Sequence, residues 1–167
     1  MTILLRFLHV FCGALWVGAM AYQVFFLMPA LAEAGPDSGK LMSSLARRKI
    51  PQIMLLVAII AIVSGVWLLM RLMGGDAEGL MRTGMGKTFA WGGTAAIVAF
   101  LIGVVVVRPS MMKMMKLGQS LPSAPPDQRP AIQAQMQTLR ARGESLGKVV
   151  AALLFIALAL MAVARYV

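Results

Sequence analysis

The sequence predicts an all-α integral membrane protein, a four-helix bundle made of four transmembrane helices, and three observations predict it. The chain is 60% hydrophobic and 13% charged, against roughly a quarter charged for a soluble domain. The apolar residues gather in four blocks, each close to the ~20 residues of helix that cross a bilayer. The blocks also lack the strict apolar/polar alternation of a membrane barrel. Residues 1–167 therefore form a single transmembrane domain.

Span one runs over about 3–28 and is expected to stop before Pro29, since the residue preceding a proline is disfavoured in helix. Residues 29–49 are a polar connection. In it Gly35-Pro36-Asp37-Ser38 is a turn, and Asp37 or Ser38 caps a short helix leading through Arg47-Arg48-Lys49 into span two. Span two covers about 50–70, with Pro51 tolerable in its first turn. Residues 71–87, with Gly74-Gly75-Asp76, Gly79 and Gly84-Met85-Gly86, predict a flexible loop. Span three covers about 88–107 and is closed by Arg108-Pro109. In the connection 108–148, residues 121–127 are proline-rich and non-helical. Helix formers then run from Pro130 into span four, about 149–164, as one long helix. Helices two, three and four are thus expected to extend into the cytosol.

Orientation follows from lysine and arginine. The 1–2 and 3–4 connections carry 11 of them and the opposite side 5. By the positive-inside rule the two longer connections face the cytosol and both termini lie outside it. The net charge of +10 is assigned to loops and anionic headgroups, not to nucleic acid, because no basic patch with interleaved aromatics stands outside the spans. The lipid bilayer is the expected partner, with other membrane subunits or a second copy of the chain as protein partners. One cysteine excludes an internal disulfide.

Close-packing signals recur one turn apart at Ala14-x-x-x-Gly18, Ala61-x-x-x-Gly65, Ala95-x-x-x-Ala99-x-x-x-Gly103 and Gly143-x-x-x-Gly147-x-x-x-Ala151. Gly13, Trp16, Gly18, Gly65 and Gly103 are accordingly expected to pack helix on helix.

The first span holds the chain's one histidine and one cysteine. At 1.5 Å per residue His9 lies roughly 9 Å inside the span, on the side shared by Arg6, Cys12, Gly13, Trp16 and Gln23. Intramembrane imidazoles serve as axial haem ligands, metal ligands or proton-transfer groups; the structural reading is a hydrogen bond to a carbonyl across a helix interface. His9 and Cys12, three residues apart, present nitrogen and sulfur to a soft metal such as copper(I), with Met73, Met81 or Met85 needed to complete a site. The structural alternative for Cys12 is a small buried hydrophobe. A bis-histidine haem b site is excluded within one chain, so haem would need His9 with Lys87 or a methionine. Lys87 otherwise reads as an interfacial snorkelling lysine. Met111-Met112-Lys113-Met114-Met115-Lys116 reads as packing methionines split between helix faces, with headgroup lysines that would repel a cation. All six acidic residues lie in connections or at span ends, against a carboxylate relay, and no phosphate loop, nucleophile elbow or zinc-protease motif is present. The chain reads as a binding or structural protein rather than an enzyme.

Leu8-His9, Leu15-Trp16-Val17-Gly18 and Met28-Pro29-Ala30-Leu31 resemble the opening helix of the copper-resistance protein D-like membrane proteins and of related bacterial four-span proteins. Ser64-Gly65-Val66-Trp67 and Gly86-Lys87 fit the same pattern, so the resemblance covers three spans. It implies a bundle of the bacterial inner membrane, linked in some members to copper. A more distant similarity, to bacterial membrane protoporphyrinogen oxidase, implies haem held by a first-helix histidine, with His9 at the matching position and Lys87 as a second ligand. The chain departs from the copper-resistance proteins in having one histidine and four spans. The alternatives to a binding protein of this group are a non-catalytic accessory subunit of a respiratory or photosynthetic complex, and a haem-dependent oxidase.

Overall fold

A computed structural model describes residues 2–34 and 38–167. The Gly35-Pro36-Asp37 turn and any cap from Asp37 lie outside the described residues. Every element among those described is helical. Four helical stretches are long and apolar enough to cross a membrane: Thr2–Glu33, Ile50–Met73, Gly84–Ser123 and Arg129–Tyr166.

The first stretch comprises α1 (Thr2–Tyr22), a five-residue π-helical turn (Gln23–Leu27) and α2 (Met28–Glu33). Pro29 does not end it, contrary to the sequence expectation. A proline ring in a helix clashes with the carbonyl four residues back and lacks the N–H to bond it. Here the ladder shifts register just before the ring, with the Met28 N–H donating to the Gln23 carbonyl five residues back. Local π geometry of this kind lets a proline sit inside a membrane helix.

The same device recurs in the third stretch. There α6 (Gly84–Ile102) passes through a π turn (Gly103–Val107) into α7 (Arg108–Ser120), and the Arg108 N–H donates to the Gly103 carbonyl. Arg108-Pro109 therefore does not close the helix. A 3-10 turn (Leu121–Ser123) ends it at the expected proline-rich break.

Between the first and second stretches lies α3 (Ser38–Arg47). It does not run on into α4 (Ile50–Met73), because Lys49 adopts a left-handed conformation with φ 56°. Residues 71–87 are likewise not the expected flexible loop. Gly74 (φ 55°) and Gly75 (φ 98°) turn the chain in a conformation that L residues resist. Asp76 then caps α5 (Ala77–Arg82) by accepting from the Gly79 N–H at 2.7 Å, and Thr83 caps α6 by accepting from the Gly86 N–H at 3.0 Å. The fourth stretch, α8 (Arg129–Val163), is a single helix of 35 residues, as its composition predicted.

The four stretches alternate in direction. At one end Arg71 donates to the Thr2 hydroxyl and Gly84 abuts the backbone of Val167, so both termini gather there with the α4–α6 connection. The chain folds as two hairpins, α1 against α4 and α6 against α8, with thinner contacts from α4 to α6 and from α1 to α8. Cys12, Trp16, Val57, Ala58, Ala61, Ala99, Val150 and Leu154 form the buried centre where the hairpins meet. Small residues dominate it, as expected where close packing replaces a hydrophobic drive.

Candidate functional site

Toward the end opposite the termini the hairpins separate. The two π turns lie in this half of the bundle, and between the helices is a cavity of about 560 Å³, within the ~300–1,000 Å³ of small-molecule sites. Trp16, Ala58, Ala99, Phe100 and Val150 form its floor. Trp16 is 8% exposed as a residue, and its indole meets Phe100 edge-on, with ring centroids 6.3 Å apart at 84°. This contact joins the diagonal helices α1 and α6 and closes the cavity against the core. Above the floor the lining is mostly apolar and comes from both bulged segments, Gln23 and Val24 on one side and Gly103, Val104 and Val107 on the other.

A belt of charge surrounds the wider part: Arg108 from α7 and Arg140, Glu144 and Lys148 from α8. The last three are four residues apart and share one helical stripe. Arg140 Nε donates to Glu144 Oε1 at 2.9 Å, a half-exposed pair. Arg108 and Lys148 have no carboxylate partner among the described residues. Gly143 keeps the space open, since a Cβ added there would meet no atom within 4 Å.

Met111, Met114 and Met115 are half-buried in the lining and Met112 is exposed at it, so these methionines gather more to one face than their sequence suggested. Lys113 and Lys116 stand exposed. With Met20, Met28 and Met54 the thioethers make a pliable wall suited to an irregular apolar guest. The sequence reading missed this cavity. Its available signal is a proline inside each of two apolar helices, a residue that by the local rule ends a helix.

Of the residues singled out from sequence, Trp16, Gln23, Gly103 and the α7 methionines line the cavity, whereas the candidate ligands His9, Cys12 and Lys87 lie elsewhere. His9 is half-buried at the α1–α4 interface. Its Nδ1–H donates to the Ala61 carbonyl at 2.8 Å, and its ring covers Gly65 so closely that a Cβ there would sit 2.6 Å from Cε1. The Ala61 carbonyl also accepts from the Ser64 hydroxyl at 3.1 Å. His9 Nε2 has no hydrogen-bond partner among the described residues. Cys12 is buried in the core, one turn below. Lys87 is exposed in the first turn of α6, and α1 and α6 lie diagonally, so His9 and Lys87 are not brought together by a helix pair.

Of the packing glycines, Gly65 mediates a close approach. Gly13, Gly18 and Gly103 do not, since a Cβ at any of them would meet nothing within 4 Å. Gly92, against Ala157, Leu160 and Met161 of α8, is a contact the sequence reading did not pick out. Among the described residues, no three His, Cys, Asp or Glu side chains gather as a metal site.

No protein-family model, curated protein or solved structure matches this chain.

Proposed function

We propose that the chain is a multi-pass protein of the bacterial inner membrane, copper-resistance D-like in the build of its first helix, that binds a membrane-soluble amphiphile between its two hairpins. On this reading both termini lie outside the cytosol, and the cavity sits in the cytosolic half of the bilayer. The observation that carries it is the cavity itself: all four long helices wall it, and two of them bulge beside it at a point that costs regular hydrogen bonding. π bulges concentrate at functional sites. The lining is mostly apolar, with its charged side chains confined to the belt, which supports a binding role.

The test uses Trp16 as a reporter on the cavity floor. In a Trp67→Phe/Trp91→Phe chain it is the sole tryptophan, and both replaced residues are exposed and outside the cavity. An uncharged nitroxide-tailed fatty-acid methyl ester should quench it saturably, whereas linear, non-saturating quenching would sink the reading. Saturable binding by the chain alone in mild detergent also separates this function from that of an accessory subunit, which would require its partners.

A second reading has one observation in its favour. Donation from His9 Nδ1 to the Ala61 carbonyl leaves Nε2 as the ring nitrogen free to ligate iron in the neutral imidazole. A single imidazole suits an axial haem ligand and falls short of a copper chelate. An absorption spectrum of the purified protein, oxidised and then reduced, decides it. A Soret band that shifts on reduction and disappears in His9→Ala supports haem, and a featureless visible spectrum removes it.

A further inference from the structure

We propose that the cavity selects an anionic phospholipid, with the phosphate held between Arg108 and Lys148 and an acyl chain reaching down to Trp16. The proposal rests on the cavity reading above and adds the charge and identity of the guest.

Sign is the first argument. Residues 108–120 and 129–148, which supply α7 and the outer part of α8, carry Arg108, Lys113, Lys116, Arg129, Arg140, Arg142 and Lys148 against the single acid Glu144. That acid is occupied by Arg140. Arg108 and Lys148 are therefore the cations of the lining left for a ligand. The same charge decides against a cation held by the surrounding thioethers, because a soft metal would have to sit within a positive field.

Length is the second argument. Nine residues separate Ala99 on the floor from Arg108 at the belt, about 13 Å of helix. Half the ~30 Å hydrocarbon core is about 15 Å, the reach of one leaflet's chain. An acyl chain that starts level with Arg108 thus ends at the Trp16–Phe100 contact, and its phosphate, about 5 Å farther out, lies within reach of the extended Arg108 and Lys148 side chains. Lipid is also abundant where the belt lies, and basic pockets between membrane helices recognise anionic headgroups.

The experiment reads Trp16 fluorescence in the Trp67→Phe/Trp91→Phe chain, reconstituted in phosphatidylcholine nanodiscs. Phosphatidylglycerol with a nitroxide near its tail end is titrated against equally labelled phosphatidylcholine, stearate and methyl stearate. The expected result is saturable quenching by phosphatidylglycerol at a half-saturating mole fraction about tenfold below that of phosphatidylcholine, as one charge-assisted contact would give. Arg108→Gln/Lys148→Gln should remove that preference. Lys113→Gln/Lys116→Gln, which deletes the same charge from exposed positions off the lining, should keep it.

Equal quenching by charged and uncharged probes would overturn the headgroup assignment and leave the cavity reading standing. Quenching by stearate but not by phosphatidylglycerol would overturn the phospholipid in favour of a free acid. Equal losses in both double variants would reduce the belt to a diffuse field and also overturn it. Absence of saturable quenching by any probe would remove the cavity reading as well.

Discussion

The His9 ring rests on Gly65, where any added methyl group would come within 2.6 Å of the imidazole, while His9 Nδ1 holds the Ala61 carbonyl one turn away at 2.8 Å. The two residues form one lock between α1 and α4. It stands toward the termini from the core, on the far side from the cavity.

Gly65→Ala gains about 1 kcal/mol of helix propensity but must displace the ring, at about 1–3 kcal/mol for overpacking, and break a hydrogen bond worth about 1 kcal/mol. The net is a lower thermal midpoint. In a His9→Ala background the obstruction is gone, so Gly65→Ala should become stabilising. A double-mutant cycle read by thermal unfolding in detergent checks this reversal, and additive effects would contradict the lock.

Gly143→Leu should abolish saturable quenching of Trp16 while leaving the thermal midpoint near wild type. A Cβ at Gly143 meets nothing within 4 Å, so the new side chain enters the cavity without displacing a neighbouring helix. A large fall in the midpoint would mean that the open space there is not available.

Pro109→Ala restores an N–H and removes the ring behind the second bulge. A proline inside a regular helix costs about 3 kcal/mol or more; the bulge already relieves part of that, so the variant should gain less than this in stability and show a modestly higher midpoint. If the bulge resolves to α-helix, everything beyond it rotates by about 100°. Arg108 and the α7 methionines would then leave the lining. The predicted signature is a more stable protein that binds its amphiphile several-fold more weakly, a trade common at strained functional sites.

Glu144→Gln breaks the pair with Arg140. Both side chains are about two-fifths exposed, and such pairs contribute only about 0.3–0.5 kcal/mol. Stability should barely change. Released from its partner, Arg140 becomes a third unpaired cation of the belt, so half-saturation by phosphatidylglycerol should move to lower mole fraction; a shift to higher mole fraction would make Glu144 part of the headgroup site.

Much of the fold was legible in the residues because composition and block length report directly on helices long and apolar enough to cross a bilayer. The four apolar stretches, the long α8 and the break after Leu121 all follow from them. The prolines misled. Pro29 and Pro109 read as stops by the local rule, and the rule fails where apolar surroundings penalise an unbonded backbone more than a shifted ladder does. The turn over 71–87 misled for the opposite reason, since its many glycines hid two side-chain caps, at Asp76 and Thr83. At the site, His9 stands out in the sequence as the one histidine. The cavity needed no rare residue, being made of ordinary apolar side chains brought together by helix geometry. Glycine spacing likewise cannot say which glycines touch: Gly65 and Gly92 meet a neighbour, whereas Gly13 and Gly18 face open space.

Because α1 closes on α4 and α6 on α8, most helix–helix packing stays within one hairpin, and the chain crosses from one pair to the other through the Gly74-Gly75 turn. The protein is thus divisible. A gene cut between codons 74 and 75 would encode two pieces, each carrying one complete hairpin and one proline bulge. Expressed together they should find each other in the membrane and rebuild the cavity across their seam, and expressed singly neither should bind the amphiphile. Ligand recognition would then be a property of the seam alone, open to gain or loss by whatever holds the two halves together.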